Sequence, residues 1–118
     1  MVATADRDAM VRDILGRIGD KWSVIVICKL GASPLRFNEL KRRVDGITQR
    51  MLSATLRALE RDGIVSRTVH PTVPPQVEYA LTDTGHGLLK VVQSLAYWTE
   101  DHVEVISAAR DEYDRRSH

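Results

Sequence analysis

Apolar residues recur along the first third of the chain at helical spacing. Met10, Val11, Ile14, Leu15 and Ile18 share one face of a helix that Asp6 can cap and Gly19 can end, with residues 1 to 5 frayed ahead of it. Asp20 can cap a second helix, Lys21 to Leu30. Its Trp22, Val24, Ile25, Val26, Ile27, Cys28 and Leu30 make it apolar almost all round. A helix of that kind belongs in a core or an interface. Gly31 supplies its stop, and Ser33-Pro34 forms a short break.

The next patterns are shorter. In Phe37 to Val44, the apolar Phe37, Leu40 and Val44 line one face, and Lys41 and Arg42 lie opposite. Asp45-Gly46-Ile47 reads as a tight turn in which Gly46 takes positive φ. Thr48 suits the start of a second helix running to Arg61, with Leu52, Leu56 and Leu59 as its buried stripe. Val65 to Val69 and Val77 to Leu81 alternate with period two around a tip stiffened by Pro71, Pro74 and Pro75, which predicts a two-stranded wing. Capped by Thr82 or Asp83, a last helix carries Leu88, Leu89, Val92, Leu95, Ala96, Thr99, Val103 and Ile106 at helical period for about six turns.

This order predicts a mainly α fold with a small β-wing (α+β), a winged helix-turn-helix in one domain. The N-terminal helices cover 6–31, the helix-turn-helix 36–62, the wing 64–81 and a dimerisation helix 83–110. One short domain does not easily cover both the long C-terminal stripe and the apolar second helix. The N- and C-terminal helices are therefore expected to hold a homodimer.

Composition narrows the setting. An apolar share of 43% in 118 residues is enough for one core. No run approaches the roughly 20 apolar residues of a membrane span. The first residues lack the apolar stretch of a signal peptide, and a single cysteine excludes an internal disulfide. A soluble, cytoplasmic protein without membrane partners is expected. The net charge of +1 conceals an asymmetry: residues 36–67 carry eight Lys/Arg against four Asp/Glu, and residues 83–118 carry four against seven. Phosphate contacts need clustered cations rather than a high total, although a solvated helical face would also be charged.

The side chains opposite the leucine stripe point to double-stranded DNA. Gln49, Arg50, Ser53 and Arg57 are suited to base edges or adjacent phosphates, and Ala54 would let the helix approach closely. Arg36, Asn38, Lys41, Arg42 and Thr48 would hold the backbone, with His70 nearest the wing tip. A winged helix that binds only protein is the competing reading; its binding would be insensitive to Gln49 and Arg50. Catalysis is not expected, because no phosphate loop, nucleophile elbow or carboxylate pair is present. His70, His86, His102 and His118 are too scattered for a zinc site, and no cofactor is expected. Cys28 reads as a buried packing thiol; as an alternative, Lys29 beside it would favour a redox-sensing thiolate. Trp22, Tyr97 and Trp98 either pack in the core or line a cavity for a small-molecule effector.

Several long motifs in one order carry a resemblance. They are Ile18-Gly19-Asp20-Lys21-Trp22, Arg36-Phe37-Asn38-Glu39-Leu40, Gly46-Ile47-Thr48-Gln49-Arg50-Met51-Leu52, Leu56 to Val65, and Pro71 to Thr82 followed by Gly85. With these, roughly residues 10 to 105 resemble the HxlR family of bacterial winged-helix transcriptional regulators. The resemblance implies a homodimer on a pseudo-palindromic operator, with two recognition helices in successive major grooves. It also implies a regulator of a type that often responds to electrophiles, oxidants or small ligands; the expected function is a sequence-specific repressor. Two positions depart from the family pattern. Ala9 stands where many members carry a redox-active cysteine ahead of the first motif, and Gln76 follows Pro74-Pro75 where a basic residue is common.

Overall fold

The computed structural model describes residues 2–117. The chain opens with α1 (Thr4–Gly19) and α2 (Lys21–Leu30), passes through β1 (Leu35–Arg36), and enters α3 (Phe37–Arg43) and α4 (Gln49–Arg61). A hairpin of β2 (Val65–His70) and β3 (Gln76–Leu81) follows, then α5 (Asp83–Asp101) and α6 (Val103–Arg116). The result is a winged helix-turn-helix with helices at both ends of the chain, as the pattern predicts.

Local chemistry sets most boundaries. Asp20 caps α2: its Oδ2 accepts from the Ser23 N–H at 3.3 Å and from the Ser23 hydroxyl at 2.7 Å. Thr82 caps α5 by accepting from the Gly85 N–H at 3.0 Å. At Gly85 an added Cβ would collide with the Ile64 carbonyl, so a glycine lets α5 close against the end of the helix-turn-helix. The start of α1 differs from expectation. Thr4 and Ala5 are already helical, Ala3 occupies the N-cap without a side-chain bond, and Asp6 lies inside the first turn. There its carboxylate meets the positive end of the helix dipole instead of capping; Met1 lies outside the described residues.

The core gathers Val26, Ile27 and Leu30 of α2, Leu40 of α3, Leu52, Leu56 and Leu59 of α4, and Tyr79 and Leu81 of β3, closed by Leu35, Val44, Ile47, Ile64 and Val65. Only one face of α2 enters it. Cys28 and Lys29 are exposed, so the helix is less enclosed than its composition predicts.

Two further differences concern topology. The wing has a third strand, in the order β1-β3-β2, because Leu35 and Arg36 pair with Tyr79 and Glu78. The long C-terminal helix is broken at His102 (φ −118°, ψ 9°). The His102 ring stacks on Trp98 at 4.4 Å, and its Nδ1 donates to the Trp98 carbonyl at 2.7 Å. That carbonyl is the acceptor the His102 N–H would need to continue the helix; the N–H turns to Thr99 O at 3.0 Å instead.

The radius of gyration is 17.8 Å, with extents of 62 × 40 × 24 Å. A compact domain of this length would have about 13.5 Å. The excess comes from the ends, since α1 and α6 bury no residue. Met10, Val11 and Leu15 of α1, Val91, Leu95, Tyr97 and Trp98 of α5, and Val103, Val105 and Tyr113 of α6 all face outward.

Candidate nucleic-acid interface

The helix-turn-helix is built from signals a few residues apart. Glu39 Oε1 accepts from the Arg36 N–H at 3.1 Å at the start of α3. The reciprocal half of a capping box is missing because an arginine side chain has no acceptor. Gly46 takes φ 82° in the turn, a conformation that favours glycine. Ile47 is buried behind it, and Thr48 Oγ1 accepts from the Met51 N–H at 3.1 Å, which starts α4.

With Leu52, Thr55, Leu56 and Leu59 turned into the core, α4 is left with a polar outer surface. Gln49, Arg50, Ala54, Arg57 and Arg61 are exposed and Ser53 is half-buried. Asn38, Lys41 and Arg42 are exposed on α3, Thr48 at the turn, and Arg36 just ahead of α3. The structure thus brings the expected contact residues together on the two helices and their turn. His70 is different: its Nε2 sits 3.6 Å from Glu78 Oε1, so it is aimed along the ribbon toward β3 and not at the tip.

Electrostatics separate this surface from an ordinary charged face. Arg36, Lys41, Arg42, Arg43, Arg50, Arg57, Arg61 and Arg67 are all exposed, and none forms an ion pair among the described residues. Three of the nearby acids are engaged elsewhere: Glu39 by the Arg36 backbone, Glu78 by His70, and Asp62 by Arg17 at 2.9 Å. Of the three, only Asp62 has its charge matched from outside this surface, so the field over α3, α4 and β2 is more positive by that one pair than a count of residues 36–67 implies.

Arg43 and Arg67 were not singled out from the sequence. Arg67 pairs in register with Tyr79 and puts a cation on the edge strand of the wing. Period-two alternation alone could not tell its face from that of a solvated strand residue. Between the wing tip and the start of α3 runs a groove of about 890 Å³, walled by Arg36, Phe37, Asn38, Glu39 and Arg42 on one side and Pro74 to Glu78 on the other. It exists because β1 ties the start of α3 to β3.

The remaining expectations meet different outcomes. Cys28, read as a buried packing thiol, is exposed, because the covered face of α2 is the one through Ser23, Val26, Ile27 and Leu30. Trp22 packs against the core, lies next to the Gly46 turn and carries Lys21 Nζ 4.5 Å from its ring centroid. Tyr97 and Trp98 lie exposed on α5, so they are neither core aromatics nor cavity walls in the single chain. Among the described residues, no three His, Cys, Asp or Glu side chains are grouped to hold a metal ion, and no helix is long and apolar enough to cross a membrane; His118 lies outside them.

Known proteins share this arrangement. The HxlR-like helix-turn-helix family profile matches residues 17–107. An uncharacterised HTH-type transcriptional regulator of Methanothermobacter thermautotrophicus is 46% identical over 84 residues, 71% of this chain and 64% of that protein. The chain thus spans a little under two thirds of that relative's length. The HTH-type regulator YtfH of Escherichia coli is 38% identical over 101 residues, covering 86% of this chain and 80% of YtfH. The solved structure of the redox regulator HypR in its reduced form superposes with a TM-score of 0.73 at 43% identity, covering 83% of this chain and 97% of HypR. With the profile covering most of its length and its fold shared with solved regulators, the chain belongs to the HxlR-like helix-turn-helix family of DNA-binding transcriptional regulators and is not an enzyme.

Proposed function

We propose that the protein acts as a homodimeric repressor that places two α4 helices in successive major grooves of a pseudo-palindromic operator. The observation that carries this reading is the set of eight exposed cations on the helix-turn-helix and wing, none of them paired among the described residues. Gln49, Arg50, Ser53 and Arg57 read base edges. Arg36, Asn38, Lys41, Arg42 and Thr48 hold phosphates, and Arg43 and Arg67 extend the same surface. A dimer seated on promoter DNA blocks polymerase by occupancy alone, which makes repression the simplest outcome.

Replacing Arg50 with Ala removes a bidentate base contact and is expected to cost about 1–3 kcal/mol on the operator, with little loss on random DNA. Replacing Lys41 with Ala weakens all sequences alike and lowers the salt slope by about one. Fluorescence anisotropy over a salt series, with the DNA upstream of the protein's own gene and a scrambled duplex, reads both effects. Equal losses for Arg50→Ala on the two duplexes would refute base reading by that residue.

An oxidant response is part of the same proposal, and HypR is described as a redox regulator. Cys28 is the sole cysteine of the 118 residues and is exposed, so any thiol-based response passes through it. Diamide is expected to change operator affinity for the wild-type protein and not for Cys28→Ser. A Cys28→Ser protein that still responds would rule the thiol out.

A further inference from the structure

The α1 helix shares the outward apolar surface with α5 and α6, and it packs chiefly on α2, with few contacts to the recognition helix α4. It buries no residue, and its Ile14 is only partly buried against the core. Between α1 and the end of α4 there is a cleft of about 370 Å³, bounded by Met10, Asp13 and Ile14 on one side and Arg61 and Asp62 on the other. Among the described residues, one polar tie crosses this seam. Arg17, in the last turn of α1, donates through Nε to Asp62 Oδ2 at 2.9 Å, and both side chains are largely covered, with 28% and 15% exposure.

The position of Asp62 is informative. It is the C-cap of α4, where a carboxylate meets the negative end of the helix dipole. It therefore does nothing favourable for α4 by itself, and its charge is matched by Arg17, 45 residues away in sequence.

We infer that Arg17 and Asp62 form a positioning strut that fixes the angle between the dimer-forming α1 and the recognition helix α4, and so sets the half-site spacing that the dimer accepts. This rests on the dimeric DNA-binding reading above. The lever is long enough: the 16 residues of α1 span about 24 Å, so a tilt of roughly 8° moves its far end by about one base-pair rise. Neither residue touches DNA in this scheme; they act through the placement of α4.

The test uses a duplex selected from a random pool by the wild-type protein, together with versions carrying one base pair more or fewer at the centre. Arg17→Gln and Asp62→Ala are expected to reduce the preference for the selected spacing by about 2- to 30-fold. Affinity for an isolated half-site should stay unchanged. The swap Arg17→Asp/Asp62→Arg should restore the preference, which a general loss of stability would not allow. In parallel, spin labels on cysteines at Arg12 and Glu60, in a Cys28→Ser background, should show a sharp distance that broadens when the strut is cut. Unchanged spacing preference, or an unchanged distance distribution, would overturn the strut. If the wild-type protein selects no duplex, the proposed function fails, and the label distances still decide whether the strut holds α1.

Discussion

Replacing Leu95 with Asp is expected to leave a folded monomer that no longer grips its operator. Leu95 lies on α5 with 51% exposure, between Val91 and Trp98 at helical spacing, and all three face outward. An aspartate there costs the isolated chain little, because the site is already open to water. In a dimer it places an unpaired charge in an apolar seam, which is strongly unfavourable. Two linked helix-turn-helix units bind two half-sites with an avidity that exceeds either one alone by about 10²–10⁴-fold. Losing the dimer should remove that factor on the full operator and leave single half-site affinity unchanged. Light scattering checks the mass and anisotropy checks the binding. A Leu95→Asp protein that remains dimeric would place the interface elsewhere.

The expectation for Leu95 follows from how unevenly the chain buries its apolar residues. The radius of gyration of 17.8 Å belongs to a molecule whose central unit is closed and whose ends are open. The covered core runs through α2, α3, α4 and the wing, whereas α1 and α6 bury nothing. Arms of that kind are stable when they cover one another, and a second copy supplies the matching surface at no cost in new sequence.

The helix-turn-helix was legible in the sequence because its signals are local. Gly46 and Thr48 define the turn and the cap by their own chemistry, and the leucines of α4 repeat over about two turns. What escaped depends on partners far away in the chain. A strand of two residues, Leu35 and Arg36, has no periodicity to detect and exists only because β3 offers its edge. The break at His102 carries no Gly or Pro signal; it arises when an imidazole takes the carbonyl that its own backbone needs. Cys28 was expected to be buried from the composition of α2, but composition does not say which face of a helix the rest of the fold covers. The same limit hid the engagement of Glu39, Glu78 and Asp62, which leaves the cations of the site unpaired among the described residues.

Truncating Leu56 to Ala is expected to destabilise the fold by about 2–5 kcal/mol, from the lost transfer of the side chain plus the cavity it leaves. Leu56 is 1% exposed at the middle of the α4 stripe, against a core drawn from α2, α3 and the wing. A native domain has only about 5–15 kcal/mol in total, so the change is large. In urea the midpoint should fall while the slope stays the same, measured at fixed protein concentration because the proposed dimer would contribute to apparent stability. Arg57, the next residue, gives the contrast. Its side chain is exposed and unpaired among the described residues. Arg57→Ala should leave stability within about 0.5 kcal/mol and lower operator affinity instead. Two neighbours on one helix then have opposite phenotypes, one in folding and one in DNA binding. If Arg57→Ala destabilised the fold as much as Leu56→Ala, the outer face of α4 would be structural, and the case for base reading from that face would fail.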